Sequence, residues 1–294
     1  MRFVIRHLVL AVVLLLGATG NGAPEPAGAM GQAHAAVTTT APVRVAVSNS
    51  WLESCVHDLL GRNGHVETVR LAPPGSCPGH FDVKPGDVAR QQGSVALLRF
   101  DFQAPVEERL YGKRDSGPRL IIVPGPKGLC VPENYLTACE TVAGQLQAVF
   151  PDVAADQWNS AISQLRERME RLSREARQRV EDSGLAGAPV IASAHQAVFC
   201  KWLGLNVVAT FSAADMDSPA PLESLVAKGR SAGVRFVIGN LQEGSQAGEA
   251  LARHLDAQLA VFSNFPAMTA DEPGFDQLVR NNLRALEQAA GSGK

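Results

Sequence analysis

Residues 153–182 read VAADQWNSAISQLRERMERLSREARQRVED and contain neither glycine nor proline. Their spacing puts one set of apolar side chains on a single helix face, with mostly polar residues elsewhere. That set is Trp158, Ile162, Leu165, Met169, Leu172, Ala176 and Val180. A helix of some thirty residues would be about 45 Å long, enough to lie along two domains. The segment therefore predicts a long mid-chain helix that spans two domains. A coiled-coil seam is the alternative, but the stripe is short for one.

Short apolar strands alternate with helices on both sides of this segment. The predicted strands are Val43–Val47, Val66–Leu71, Val95–Phe100, Leu120–Val123, Val190–Ala192, Val207–Phe211, Val234–Ile238 and Gln258–Phe262. The predicted helices are Trp51–Leu60, Pro132–Val149, Gln196–Leu203, Leu222–Ala232, Ala247–Leu255 and Phe275–Gln288. Nearly continuous apolar strands are typical of parallel sheets covered on both faces. The sequence thus predicts an α/β fold of two similar lobes with parallel sheets, joined by one long rigid helix. A ligand cleft is expected between the lobes, at the C-terminal ends of the strands.

The composition excludes several classes of protein. The chain has 294 residues, of which 46% are hydrophobic and 19% charged, enough for a core in each of two domains. This balance is the opposite of intrinsic disorder. The net charge is −2, whereas a protein that binds nucleic-acid phosphates normally carries a basic excess. We therefore expect no nucleic-acid partner, and a single long apolar run excludes a polytopic membrane protein.

That apolar run lies at the start of the chain. Arg2 and Arg6 precede nine apolar residues, 8–16, and small residues follow as far as Ala35. This order is typical of a secretory signal, and an uncleaved anchor is the alternative. The expected domains are a signal and pre-sequence (1–35), an N-terminal α/β lobe (36–150), the connecting helix (151–184) and a C-terminal α/β lobe (185–294).

The five cysteines fall into two groups. Cys55, Cys139 and Cys200 lie among apolar residues of predicted helices and are expected to be buried structural thiols. Cys77 and Cys130 lie in loops rich in glycine and proline. Export to an oxidising compartment permits disulfides, and an odd number of cysteines leaves at least one thiol unpaired.

Three side chains near predicted strand ends could bind a ligand. His80 and His195 follow strands in the two lobes, and imidazole is the commonest metal ligand. Glu133 could add a carboxylate, although a first-turn acid stabilised by the helix dipole is an equally good interpretation. His57 and His254 lie on predicted helix surfaces and are expected to be solvated.

Several segments resemble the metal-binding receptors of ABC transporters, the zinc and manganese receptors with two α/β lobes joined by one rigid helix. The segments that carry the resemblance are Pro78-Gly79-His80-Phe81, Pro132-Glu133-Asn134-Tyr135-Leu136, Ser193-Ala194-His195-Gln196 and Phe262-Ser263-Asn264-Phe265-Pro266. The resemblance implies a monomeric periplasmic receptor that captures a divalent metal and delivers it to an inner-membrane ABC permease. Zinc is the metal expected, with manganese or iron as alternatives.

The resemblance also implies a ligand set, with departures from the family pattern. The first ligand histidine of the family falls on Gly79, one place before His80. The second family histidine is replaced by Glu133, and the terminal carboxylate falls on the neutral Asn264. The expected metal ligands are therefore His80, Glu133, His195 and Asn264. Two imidazoles and one carboxylate suit zinc, and mixed nitrogen and oxygen donors also allow manganese or iron. A receptor of the same fold for an organic or metal-chelate ligand is the alternative.

Two further expectations concern the cysteines. Cys77 and Cys130 are expected either to form a disulfide that holds the ligand loops, or to leave the Cys77 thiolate free to bind metal. A nucleophilic Cys77 or Cys200 paired with a histidine would indicate an enzyme. The chain contains neither a Gly-x-Ser-x-Gly elbow nor a phosphate-binding glycine loop, so we expect no enzymatic activity.

Overall fold

The computed structural model describes residues 41–61, 65–74, 76, 82–111, 117–212, 219–268 and 273–292. The expected signal, Cys77 and His80 lie outside these residues. The strands are β1 Val43–Val47, β2 Val66–Arg70, β3 Ala96–Phe100, β4 Arg119–Val123, β5 Pro189–Ser193, β6 Asn206–Phe211, β7 Phe236–Asn240 and β8 Gln258–Phe262. The helices are α1 Ser50–Leu60, α2 Pro85–Arg90, α3 Ala104–Tyr111, α4 Pro132–Leu146, α5 Ala155–Asp182, α6 Ala197–Trp202, α7 Pro219–Ser231, α8 Gln246–Leu255 and α9 Gly274–Ser292.

Two parallel four-stranded sheets organise these elements. The first has the order β2-β1-β3-β4 and the second the order β6-β5-β7-β8. Every strand pair is parallel, so all four carboxyl ends of a sheet lie at one edge. The inner strands β3 and β7 are buried at all five positions, which explains their nearly unbroken apolar sequence. The predicted fold class is confirmed.

Several elements begin or end up to four residues from their predicted bounds, and two short helices were not predicted. Strand β7 begins at Phe236 rather than Val234 and runs on to the polar Asn240, because it pairs along its whole length with β8. Helix α2 was not predicted, since six residues are too few to show a helical period. Helix α3 was missed for a similar reason. Among its described side chains, those of Val106 and Leu110, one turn apart, are buried.

Helix α5 is the predicted connecting helix. It is 28 residues long, and six of its seven predicted apolar residues are buried, with Ile162 packed against the same core. The helix contacts α1, α4 and α9, so elements of the same chain cover its apolar face. Within the described residues, no helix combines the length and apolar character that spanning a membrane requires.

Ion pairs bind α5 to helices from both ends of the chain. The Arg168 guanidinium lies between Asp58 of α1 and Asp276 of α9, and both of these carboxylates are more than nine-tenths buried. Two further pairs join α5 to α9 through two hydrogen bonds each, Arg179 to Glu287 and Glu175 to Arg280. The hydrogen bonds from Arg280 lower the pKa of Glu175. These pairs therefore fix α9 along the connecting helix.

The start of α9 enters the core of the first lobe. The Phe275 ring stacks on Tyr135 with centroids 3.9 Å apart and meets Trp51 edge-on at 6.3 Å. The Phe275 amide donates to Ser54 Oγ at 3.0 Å. One continuous apolar cluster includes residues of both sheets, such as Leu98 and Ile238. The two lobes thus share a core.

Replacing Arg168 by methionine should destabilise the protein by about 3–5 kcal/mol, because Asp58 and Asp276 would remain buried without a cation. The free energy of unfolding in urea measures this loss. Arg171→Met is the matched control on the same helix, since its pair with Glu167 is exposed and worth about 0–1 kcal/mol. Equal losses in the two variants would contradict the proposed role of Arg168.

The shared core also predicts a small closing movement. A lobe that is tied to its neighbour by α5 and by the α9 insertion can tilt but cannot swing widely. Small-angle scattering profiles of the protein without and with Zn²⁺ should therefore nearly coincide. A large change in the radius of gyration would show that the lobes move as separate bodies.

Candidate functional site

His195 lies at the carboxyl edge of the second sheet. Strand β5 ends at Ser193, and the turn that leads into α6 carries the histidine, whose amide donates to Ser193 Oγ at 3.3 Å. The His195 side chain is 62% exposed, and its Nε2 lies 3.5 Å from Glu243 Oε1. An imidazole is therefore presented to solvent at the sheet edge where α/β proteins bind ligands.

Glu243 is the acidic partner of this histidine. It ends a short 3₁₀ turn, Leu241–Glu243, that follows β7. Because β7 is adjacent to β5, the ends of these two strands meet. Ser193 Oγ donates to Glu243 Oε2 at 2.6 Å, which leaves Oε1 directed at His195. Glu243 was not among the residues expected from the sequence, because the predicted strand ends at Ile238, five residues before the acid.

Asn264, an expected metal ligand, lies in a buried amide network behind this pair. Its side-chain oxygen accepts from Gln196 Nε2 at 3.1 Å, and its amide nitrogen donates to Asn240 Oδ1 at 3.4 Å. The Asn264 main-chain amide donates to Gln242 Oε1 at 2.9 Å. The side chain is 5% exposed. A ligand role for Asn264 stays a prediction, and these contacts favour a structural role.

Glu133, a second expected ligand, faces the connecting helix. It lies in the first turn of α4, and its Oε1 accepts from Ser173 Oγ at 3.1 Å and lies 4.0 Å from Arg177 Nη2. The Arg177 guanidinium in turn lies over the Trp202 ring. Its ligand role also stays a prediction. The contacts favour the alternative interpretation, a first-turn acid that stabilises the packing of α4 on α5.

Cys130 is a buried free thiol that faces the second lobe. The thiol donates to the Ser263 carbonyl at 3.1 Å, and Asn282 Nδ2 donates to its sulfur at 3.4 Å. Cys77 lies outside the described residues, so both alternatives, a disulfide with Cys130 and a Cys77 thiolate ligand, stay predictions. Burial raises the pKa of the Cys130 thiol.

The other described cysteines agree with the sequence-based expectation. Cys55, Cys139 and Cys200 are buried and free, which confirms that they are core thiols. Burial raises the pKa of Cys200 to about 12. A thiol that stays protonated in the core is a poor nucleophile, so the geometry does not favour Cys200 as a catalytic residue.

The loops at the carboxyl edges of the two sheets touch. Gly128, in the loop after β4, has a φ of +86°, and a β-carbon placed there would lie 2.7 Å from Val198 of α6. Only glycine permits both this conformation and this approach. Three apolar side chains are exposed along the same edges: Phe102 after β3, Val198 in α6 and Leu241 after β7.

The structure pairs His195, one of the four expected ligands, with a possible metal donor that was not expected, Glu243. His195 and Glu243 form a pair, whereas no group of three or more histidine, cysteine, aspartate or glutamate side chains suited to a metal occurs among the described residues. His80, the first-lobe donor expected from the sequence, lies outside those residues. One imidazole and one carboxylate can begin a metal coordination shell but need further donors to complete it.

The sequence matches one protein family. The family model described as "ZnuA: Zinc-uptake complex component A periplasmic" matches residues 130–289, more than half of the chain. The matched part contains Glu133, His195, Glu243 and Asn264. No curated protein sequence matches the chain.

Solved structures with the same fold cover most of the chain. The SBP FpvC from P. aeruginosa in complex with Ni²⁺ is 17% identical, with a TM-score of 0.68, covering 86% of this chain and 98% of its own. A crystal structure of ZnuA is 18% identical, with a TM-score of 0.67 and coverages of 85% and 98%. The Mn-bound periplasmic metal binding protein from Candidatus Liberibacter asiaticus is 14% identical, with a TM-score of 0.67 and coverages of 84% and 99%. These similarities confirm the two-lobed fold.

Proposed function

The chain belongs to the family of periplasmic zinc-uptake complex component A, and on that basis we propose that it is a receptor that captures a divalent transition metal. The metal would then be delivered to the permease of an ABC importer in the inner membrane. Zinc fits the family description best, and manganese, iron and nickel are the alternatives. The resemblance to metal-binding receptors that the sequence motifs indicated is confirmed at the level of the family.

One observation carries this proposal, the His195–Glu243 pair at the carboxyl edge of the second sheet. Imidazole nitrogen and carboxylate oxygen are donors that Zn²⁺, Mn²⁺ and Ni²⁺ all accept. The pair rests on strand ends, and Ser193 orients the carboxylate, so little has to be ordered when a metal binds. The fixed geometry supports a binding site rather than a solvated surface contact.

The other metal donors are proposed from the sequence motifs, because the pair supplies only two ligands. We propose His80 as the ligand from the first lobe, with water or the Asn264 amide oxygen completing the shell. Two neutral imidazoles and one carboxylate would leave a divalent site with a net charge of +1. Such a site is neutralised less than one with two carboxylates, so we expect moderate affinity. No chemical step follows from this arrangement, and we assign no catalytic residue.

Metal binding should raise the melting temperature, because the metal stabilises only the folded protein. At a hundredfold excess of Zn²⁺ over Kd the stabilisation is about 2.7 kcal/mol. His195→Ala should abolish this thermal shift, and His80→Ala should weaken it strongly. His254→Ala is the matched control, because this histidine is exposed on α8 and takes part in neither the His195–Glu243 pair nor the amide network around Asn264.

The thermal shift caused by metal should become smaller at acidic pH. A protonated imidazole cannot bind a metal, so the thermal shift should shrink as the pH falls through the acidic range. The proposal fails if the wild type shows no shift with Zn²⁺, Mn²⁺ or Ni²⁺, or if His195→Ala responds like the wild type.

Glu243→Gln tests the carboxylate separately. Glutamine keeps the size of the side chain and can still accept the Ser193 hydrogen bond, but it removes the charge beside His195. Metal affinity measured by titration calorimetry should fall by more than the roughly 10- to 100-fold that loss of a group orienting a metal ligand costs, because here a ligand itself loses its charge. Glu249→Gln, an exposed acid on α8, is the control. Glu133→Gln should also leave affinity unchanged, because the Oε1 of Glu133 contacts Ser173 and Arg177 of the connecting helix and not the His195–Glu243 pair. A loss of affinity in Glu133→Gln alone would restore the ligand set expected from the sequence.

The exposed apolar residues favour a second candidate, a receptor of the same fold for a metal chelate. Phe102, Val198 and Leu241 lie along the edges that carry the donor pair, where an organic group could cover them. The distinguishing experiment compares the thermal shift with free Zn²⁺ and with the same metal held by a small apolar chelator. A shift with the chelate and none with the free ion would support this second candidate.

A further inference from the structure

One buried hydroxyl contacts both members of the candidate metal pair. Ser193, the last residue of β5, is 0% exposed. Its Oγ donates to Glu243 Oε2 at 2.6 Å and accepts from the His195 main-chain amide at 3.3 Å. The other carboxylate oxygen, Oε1, lies 3.5 Å from His195 Nε2. The two oxygens of Glu243 therefore have different partners, one inside the lobe and one at its exposed edge.

The first lobe has the same hydrogen bond at the equivalent place. Both sheets have the same strand order, with β1 and β3 in the places of β5 and β7, and a short 3₁₀ turn follows β3 as one follows β7. Counted from the residue pairs between these strands, Ser48 corresponds to Ser193 and Gln103 to Glu243. Ser48 Oγ donates to Gln103 Oε1 at 2.7 Å. In each lobe, a serine at the end of the central strand thus holds the side chain that ends the turn.

The two versions of this arrangement differ in charge and exposure. By the same count, Ser50 lies in the first lobe where His195 lies in the second, and both Ser50 and Gln103 are 1% exposed. The first-lobe version is therefore neutral and buried, whereas the second-lobe version presents an imidazole and a carboxylate. The serine hydrogen bond is a feature of the fold, and the capacity to bind a metal comes from the two residues that differ.

We infer that Ser193 is a positioning residue that makes Glu243 a monodentate metal ligand, bound through Oε1 alone, and so favours zinc over manganese. This inference rests on the proposed function, the capture of a divalent metal beside His195. Because Oε2 is hydrogen bonded to a buried hydroxyl, the carboxylate is held with Oε1 toward the imidazole. A metal bound to His195 then meets one oxygen of Glu243 rather than both.

The number of carboxylate oxygens matters because the two metals prefer different coordination shells. Zinc in proteins typically has a tetrahedral shell, in which a single carboxylate oxygen can fill one position beside imidazole nitrogens. Manganese suits octahedral shells rich in oxygen, so it gains more from a carboxylate that supplies both of its oxygens. A Glu243 side chain that was free to turn both oxygens to the metal would therefore serve manganese better. The Ser193 hydrogen bond opposes that turn.

The variant Ser193→Ala tests the inference, with the affinities for Zn²⁺ and Mn²⁺ measured by titration calorimetry. Loss of the hydroxyl should lower Zn²⁺ affinity by about 10- to 100-fold, as loss of a group that orients a metal ligand typically does. Mn²⁺ affinity should fall less, because the released carboxylate can offer its second oxygen. The ratio of the two affinities should therefore shift toward Mn²⁺. Unchanged Zn²⁺ affinity, or equal losses for the two metals, would overturn the inference.

Ser48→Ala is the matched control from the first lobe. It removes the equivalent hydrogen bond from a serine that is 1% exposed, so the melting temperatures of the two metal-free variants should fall by similar amounts. Ser48→Ala should nevertheless keep the wild-type affinities for both metals, because Gln103 is not a proposed ligand. If Ser48→Ala lost as much Zn²⁺ affinity as Ser193→Ala, general destabilisation would explain both losses and the inference would be wrong.

A double-mutant cycle with Glu243→Gln shows whether Ser193 acts through the carboxylate. Once the charged ligand is lost, adding Ser193→Ala should change Zn²⁺ affinity little, whereas additive losses would overturn the inference. The cycle also separates the inference from the proposed function. A wild type that binds neither metal would overturn both, and a wild type that binds Zn²⁺ no better than Ser193→Ala does would overturn the inference alone.

Discussion

The structure depends on the need to cover the apolar face of α5. Exposing the continuous apolar stripe of this 28-residue helix to water would be unfavourable. The stripe is also too long for one small lobe to bury. Helices α1 and α4 from the first lobe and α9 from the end of the chain cover it together. Because their side chains meet on one helix, the cores of the two lobes become a single apolar cluster.

The polar groups along this helix reinforce the same arrangement. Arg168 is neutralised by carboxylates from α1 and α9, which lie 218 positions apart in the chain at Asp58 and Asp276. The two carboxylates are almost fully buried, so a packing that moved either of them away from Arg168 would leave a buried charge without its counter-ion. The Phe275 ring stacks on Tyr135 and so fixes the position of α9 on the first lobe by apolar contact.

The candidate site follows from how this frame places the sheets. Parallel strands deliver all their carboxyl ends to one edge, and the close approach of Gly128 to Val198 brings loops from the two edges into contact. His195 and Glu243 lie on adjacent strand ends and need no loop rearrangement to meet. Behind them, Gln196, Asn240 and Asn264 form a neutral amide network. The buried Oε1 of Gln196 has no hydrogen-bond partner among the described residues.

The sequence by itself determined the fold class and all the helices and strands except the short helices α2 and α3, because the spacing of apolar residues along the chain reflects which face of an element is buried. Residues close together in the chain suffice to predict the apolar stripe of α5, the apolar strands and the position of His195 after β5. Which side chains meet was decided only by tertiary structure. Glu243 reaches His195 across 48 positions, Glu133 accepts a hydrogen bond from Ser173 on the connecting helix, and Cys130 donates to the Ser263 carbonyl of the second lobe. Such contacts depend on strand register and helix rotation, which no local pattern specifies, because a shift of one residue would direct a different side chain to the same place.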